Sequence, residues 1–259
     1  MVEIMRGKEL HITIVGAGTA IPSPKHSAAC VLLQWSNFIA LLDIGPGAIS
    51  KLPYYGIDPF LLEHIFITHL HPDHTLDLGT FFMILDYGKD KRHGLPLNLI
   101  GCVGLEKFIY QFMGAFPDIN LPVTEMQIRE VTNNEFFLGN IRVRSALSGH
   151  TETSVSFRFD FKDISVVYTG DCVQNTELEM MCDKADILIT ECSFPDKWKT
   201  NDHMNAQTLG KMAERANVKK LVVTHQYPSA LEVDIESQLK EYYSGSILIA
   251  EDGSRVKID

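Results

Sequence analysis

The chain has few cysteines, and their spacing builds nothing. Its 259 residues carry five, Cys30, Cys102, Cys172, Cys182 and Cys192, an odd number with no C-x-x-C pair. A disulfide framework and a thiolate zinc site are therefore not expected, and a reducing cytoplasm fits best. No apolar stretch of about 18 residues occurs, so no membrane span is expected. Met1–Arg6 has no apolar core of a secretory signal. Positive charge is also scarce, with 23 Lys and Arg against 33 Asp and Glu and a formal net charge of −10. Broad contact with a phosphate backbone needs a clustered basic face, which this balance does not favour, although a local patch or bound cations would still attract phosphate. Lys89, Lys91 and Arg92 form the nearest thing to a basic cluster. They are interleaved with Asp86 and Asp90 and read as a solvated loop. No low-complexity segment or Pro/Gly/Ser linker divides the chain, so residues 1–259 are expected to form one domain, with 45% hydrophobic residues for its core. Gly16-Ala17-Gly18 lacks the third glycine of a dinucleotide-binding loop, since Ile21 stands there, and reads as a turn.

What is present is a sequence of strands, then an alternation. Leu10–Val15, Ala29–Gln34 and Phe38–Asp43 read as strands, the last two joined as a hairpin. Gly45-Pro46-Gly47 is a turn before a short helix through Leu52, and Asp58–Glu63 suggests another. Ile65-Phe66-Ile67 is a buried strand, and one helix is expected from His74 to about Leu85. A strand at Leu97–Ile100 and a helix from Val103 to Met113 follow. Strands with a Gly139-Asn140 turn fill Gln127–Leu147, and Val155–Phe161 pairs with Ile164–Tyr168. The second half alternates: strand Ile187–Ile189, amphipathic helix Asn205–Asn217, strand Leu221–Val223, helix Val233–Tyr243 and a last strand Ser246–Ala250. Early strands and late β/α alternation point to two packed sheets with helices outside.

The most informative run is Thr68-His69-Leu70-His71-Pro72-Asp73-His74, directly after the buried strand. Two imidazoles one residue apart can turn toward one metal ion, and the Asp-His pair behind them can reach a second. Three more polar residues stand where strands run out: His150, Asp171 and His225. Strand ends let a sheet scaffold aim several side chains at one point while loops leave room for substrate. Imidazole and carboxylate donors suit zinc and also accommodate manganese or iron. His11, His26, His64 and His93 fit no motif and read as surface or packing residues.

The ordered set Asp43, His69/His71/Asp73/His74, His150, Asp171 and His225 resembles the metallo-β-lactamase superfamily over nearly the whole chain. The resemblance implies the α/β (α+β) class, a four-layer αβ/βα sandwich with two divalent ions at one edge. It implies that His69, His71 and His150 hold one ion, that Asp73, His74 and His225 hold the other, and that Asp171 bridges them. Asp43 would organise the loop without being a ligand. Glu191 in Thr190-Glu191-Cys192, then His203 in His203-Met204-Asn205, narrow the resemblance to ribonuclease Z and related phosphodiesterases. There, the pair implies a catalytic role for His203 as general acid, with Glu191 orienting it and Asp73 sharing in proton transfer. The chain departs from ribonuclease Z in three places. It has no basic Gly/Pro-rich arm, Pro22-Ser23-Pro24-Lys25-His26-Ser27 lacks the family's Arg, and Gln226-Tyr227-Pro228 replaces Phe-Ser-x-Arg-Tyr.

The expected activity is therefore a dinuclear, zinc-dependent phosphodiesterase acting on a small diester or nucleotide in the cytoplasm. The alternatives are tRNA 3′ processing, hydrolysis of a lactone or thioester with Tyr227 or Tyr87 at the oxyanion, and a non-catalytic metal-binding module. The resemblance further implies a homodimer, to which exposed residues among Phe81–Ile84 would contribute, although most of these four are expected to pack in the core. Substrate choice is expected to lie in the loops Pro22–Ala28, Tyr87–Gly94, Phe116–Val123 and Pro195–Asp202.

Overall fold

Two seven-stranded sheets pack face to face, and each repeats one plan. The computed structural model describes residues 9–92, 94–120, 126–196, 198 and 200–257, with the backbone alone at Lys89 and Asp90. His93, Met1–Arg6, Leu121–Val123 and part of the Pro195–Asp202 loop lie outside the described residues. The first sheet contains β1 (Leu10–Gly16), β2 (Cys30–Trp35), β3 (Phe38–Leu42), β4 (His64–Ile67), β5 (Leu97–Cys102) and β6 (Met126–Val131). The second contains β7 (Glu135–Leu138), β8 (Ile141–Leu147), β9 (Val155–Phe161), β10 (Ile164–Tyr168), β11 (Ile187–Glu191), β12 (Lys220–Thr224) and β13 (Ser246–Ile249). The chain then returns as β14 (Arg255–Val256) to the edge of the first sheet beside β1.

In both sheets the joins are antiparallel on one side and parallel on the other. Antiparallel pairing runs from β14 through β1 and β2 to β3, then parallel pairing from β3 to β6. The second sheet is antiparallel from β7 to β10 and parallel from β10 to β13. Strands β10 to β12 are buried on both faces and mostly apolar, as suits covered parallel strands.

Three apolar layers make this a four-layer sandwich. Ile12, Ile14, Val31, Leu33, Phe66, Val143, Phe157, Phe159 and Phe161 meet between the sheets. Phe66 sits edge-on to Phe157 and Phe159, at ring separations of 5.1 and 4.9 Å. The outer face of the first sheet is covered by α1 (Ala48–Lys51), α3 (Leu78–Tyr87) and α4 (Leu105–Gly114). That of the second is covered by α5 (Thr176–Cys182), α6 (Ala206–Arg215), α7 (Pro228–Leu231) and α8 (Ile235–Lys240). Among the described residues no helix is long and apolar enough to cross a membrane.

Several local expectations need correction. The helix after His74 is two pieces, α2 (Pro72–Thr75) and α3, because Asp77 makes tertiary bonds at the break. Its N–H donates to the Ile44 carbonyl (3.1 Å), and its carboxylate accepts from the Ile49 N–H (2.8 Å). The segment Gln127–Leu147 is split between the sheets, with β6 in the first and β7–β8 in the second. Ser246–Ile249 is not the last strand, since β14 follows it. Arg92 is not solvated. It is buried, and its guanidinium donates to the carbonyls of Phe60, Leu62, Leu95 and Pro96. Phe81 and Phe82, by contrast, are core residues as expected for most of Phe81–Ile84, while Met83 is exposed.

Candidate metal centre

The carboxyl ends of parallel strands from both sheets face one another at a single edge, the usual place for a ligand on such sheets. Asp43 follows β3, and Thr68 to His74 follow β4. Asp171 follows β10, Glu191 ends β11 and His225 follows β12. Glu191 and Thr224 are paired in register, which fixes the relative height of Glu191 and His225. His150 comes from the second sheet's antiparallel side, and a bridge between Gly149 and Cys172 ties it to the Asp171 loop. Gly170, at φ 57, must be glycine, because a Cβ there would lie 2.5 Å from Thr68 Oγ1.

The structure brings all the sequence-predicted site residues together. His69 Nε2 lies 3.0 Å from His71 Nδ1, and His150 Nε2 lies 3.3 Å from the same atom. Asp171 Oδ2 is 3.8 Å from His69 Nε2 and 3.7 Å from His150 Nε2. The other oxygen, Oδ1, is 3.3 Å from both His74 Nε2 and His225 Nε2. Asp73 Oδ2 completes that second group, 3.3 Å from His225 Nε2 and 3.8 Å from His74 Nε2. Each group could hold a cation, and Asp171 offers one oxygen to each.

In His74, His150 and His69 the unused ring nitrogen is tied down, which selects the free one. His74 Nδ1–H donates to Asp43 Oδ2 (2.7 Å), and His150 Nδ1–H to the Asp202 carbonyl (2.6 Å). His69 Nδ1 is 3.0 Å from Thr68 Oγ1, which itself donates to Asp43 (2.9 Å). Asp43 also accepts from the Thr68 N–H (2.8 Å) and the Tyr168 hydroxyl (2.7 Å), so it is fully used away from the cluster. What remains inside fits a cation. Lone-pair nitrogens converge, and buried His74 Nε2 and Asp171 Oδ1 have no hydrogen-bond partner among the described residues. Asp43 and His225 both hold positive φ, 57° and 51°, a strain of order 1–3 kcal/mol each that the surrounding bonds sustain.

The charges agree with the geometry. Burial alone would push the Asp171 and Asp73 carboxyls up, but the neighbouring imidazoles hold both below the usual carboxylate range. Burial opposes the His74 cation, yet Asp171 and Asp43 outweigh it and raise its pKa well above the ordinary value. Burial lowers His69 and, less strongly, His71, keeping them neutral and available as donors. The cluster thus draws in positive charge on the Asp171 side, a demand that a divalent ion satisfies. The cysteines do not compete: all five are buried and unbridged, and burial raises the Cys172 and Cys192 thiols.

His203 stands beside this cluster, held from behind. Its Nδ1–H donates to Glu191, 3.0 Å from Oε1 and 3.1 Å from Oε2. Glu191 is buried, and it also accepts from the Cys172 N–H (2.7 Å), the Met204 N–H (3.2 Å) and the Ser193 hydroxyl. Burial disfavours the His203 cation, but the bond to Glu191 and its charge prevail and move the pKa to about 9. The helix cap is Asn205, whose side chain accepts from the Thr208 N–H (2.8 Å), so His203 is free of that duty. Phe194 stacks between Trp198 and Tyr227, and the Tyr227 ring lies 5.5 Å from His203 and 5.8 Å from His225. Tyr87, by contrast, is 80% exposed at the end of α3. A cavity of about 150 Å³ opens between the loop at Gly18–His26 and the turn at Gln226–Leu231. His64, His11 and His26 stay outside the cluster, and His64 stacks on Phe38. Thr68, Tyr168, Ser193 and the Asp202 carbonyl are supporting groups that the sequence reading does not single out. Only Thr68 carries a local signal, by adjoining the histidine run.

Comparisons with known proteins bear on the family and the fold. Residues 10–243 match the family model described as Anti-Pycsar protein Apyc1. Ribonuclease Z of Mycobacterium avium (strain 104) is 25% identical, with 96% of this chain and 99% of that protein covered. Among solved structures, the metallo-β-lactamase fold protein YhfI from Bacillus subtilis superimposes with a TM-score of 0.81 at 23% identity, covering 95% and 98% of the two chains. Human short-form tRNase Z gives a TM-score of 0.77 at 24% identity, covering 96% and 99%. The chain is thus a metal-dependent hydrolase of the ribonuclease Z-like kind on the metallo-β-lactamase fold, and it belongs to the Anti-Pycsar protein Apyc1 family.

Proposed function

We propose that the protein hydrolyses a small phosphodiester, a cyclic or short nucleotide, at a two-ion centre. The observation that carries this reading is the split of the Asp171 carboxylate, with Oδ2 toward His69 and His150 and Oδ1 toward His74 and His225. In this reading His69, His71 and His150 hold one ion, Asp73, His74 and His225 the other, and Asp171 serves both. The imidazole-rich donor set favours zinc, with manganese or iron as substitutes. When bound, two such ions supply an activated water and offset charge on the phosphoryl oxygens.

The side chains do the rest. Asp73 accepts a proton from the attacking water. His203 keeps Nδ1–H on Glu191, so Nε2–H is the proton it offers to the departing oxygen. Phosphodiester cleavage needs such an acid because an alkoxide leaves poorly, and a placed acid contributes about 10²–10⁴ in rate. The small-substrate reading is supported by the net charge of −10 and by the missing basic Gly/Pro-rich arm.

A second reading, tRNA 3′ processing, is favoured by the ribonuclease Z relatives that match along 96% of the chain. One panel separates the two. Protein loaded with zinc or manganese is offered bis-p-nitrophenyl phosphate, 3′,5′-cyclic nucleotides, a precursor tRNA and a lactone. Turnover of the small diesters with intact tRNA is expected. Cleavage of the tRNA alone establishes the second reading, and cleavage of the lactone alone overturns both.

A further inference from the structure

His225 is the donor with the least ordinary backbone, and its support comes from the far end of the chain. One backbone bond and one side-chain contact hold its left-handed conformation. The His225 N–H donates to the Ala17 carbonyl (2.7 Å), while the Ser193 hydroxyl, whose proton goes to Glu191, lies 3.0 Å from the His225 carbonyl. The Ala17 carbonyl shares a peptide plane with the Gly18 N–H, and that N–H donates to the Ser27 carbonyl (2.7 Å). Ser27 is in turn held by Asp252, whose Oδ2 accepts from the Ser27 N–H (2.8 Å). The other oxygen of Asp252 accepts from the Ala17 N–H (2.9 Å). One carboxylate therefore grips both ends of the loop from Ala17 to Ser27, across 235 and 225 positions of sequence.

Lys51 completes the grip. Its ammonium donates to Asp252 Oδ2, to Ser27 Oγ (2.6 Å) and to the Val15 carbonyl (3.3 Å). The pair is mostly buried, with side-chain exposures of 26% for Lys51 and 16% for Asp252. Asp252 itself is fixed by the turn before β14, where the Gly253 N–H donates to the Ile14 carbonyl (2.7 Å) and the Ile14 N–H to the Ser254 carbonyl (2.9 Å).

We propose that Asp252, charge-balanced by Lys51, is a positioning residue for His225 and so for the ion held by Asp73, His74 and His225. The part concerning the ion rests on the two-ion reading above. The part concerning His225 does not. Asp252 acts through the Ala17–Gly18 peptide, and a change there tilts the carbonyl that anchors the His225 N–H. An outer support of this kind contributes about 10–100-fold to metal affinity. The donors His69, His71 and His150 receive no bond from this loop and stay in place.

The test compares wild type with Asp252→Asn, Lys51→Met and Asp252→Glu in two measurements. Hydrogen exchange of the His225 amide in metal-free protein reads the clamp directly, and Asp252→Asn should speed it about tenfold or more. Stepwise zinc titration reads the consequence. Asp252→Asn should weaken one of two binding steps about 10–100-fold, the same step that His225→Ala should weaken, and leave the other within about twofold. Lys51→Met should act in the same direction more mildly, and Asp252→Glu should recover part of the loss. Unchanged His225 exchange overturns the proposal, as does equal weakening of both steps, the mark of a general loss of structure. If exchange speeds up while wild type takes fewer than two ions, the clamp on His225 stands and the two-ion reading fails.

Discussion

The two donor groups of the centre differ in how they are held. His69, His71 and His150 span a gradient from buried to open, with His71 exposed on its loop. Asp73, His74 and His225 are all buried, and each histidine of that group is fixed from behind. His74 leans on Asp43, and His225 leans on Ala17 and Ser193. In the outer group His69 reaches Asp43 only through Thr68 and His150 is held by the Asp202 carbonyl, whereas in the inner group His74 bonds Asp43 directly and the His225 backbone bonds Ala17. This difference implies that an ion in the outer group exchanges more readily, and that supporting substitutions act selectively.

Removing the group that joins the two sides has the largest expected effect. On the proposed two-ion reading, Asp171→Ala should lose both ions and all measurable turnover, read by metal analysis and diester hydrolysis together. Next comes a residue assigned to neither set. His203→Ala should lower kcat by about 10²–10⁴ while both ions remain bound. In the same reading Asp43→Asn should act most on the inner side, where His74 donates to it directly, lowering affinity there about 10–100-fold in a zinc titration. It should act less on the outer side, which it reaches only through Thr68 and His69. The smallest effect is on pH dependence. In the proposed general-acid role His203 donates only when protonated, and its pKa is raised to about 9, so kcat should fall as pH rises through that value. Nearby divalent ions lower the pKa of an imidazolium, so the alkaline limb belongs at or below pH 9. His203→Ala should remove that limb from the profile.

The site was more legible in the sequence than the fold around it. The spacing of His69, His71, Asp73 and His74 shows four donors at once, and strand ends single out His150, Asp171 and His225. Bonds that cross the molecule leave no such trace. Nothing near Asp252 in the sequence indicates that it holds Ala17 and Ser27, and nothing near Asp202 indicates that its carbonyl faces His150. The same blindness explains the local errors. Asp77 breaks a helix through bonds to Ile44 and Ile49, and Arg92 leaves solvent to satisfy four carbonyls. Strand β14 has two residues, too few to show any periodicity. The two-sheet architecture was readable because long apolar strands alternate with amphipathic helices in the second half, and burial on both faces leaves a strong mark.

Anomalous diffraction from zinc-loaded crystals tests the central claim most directly. The account predicts two peaks, one among His69, His71 and His150 and one among Asp73, His74 and His225, with the Asp171 carboxylate between them. A single peak at saturating zinc, or Asp171 turned away from either ion, contradicts it.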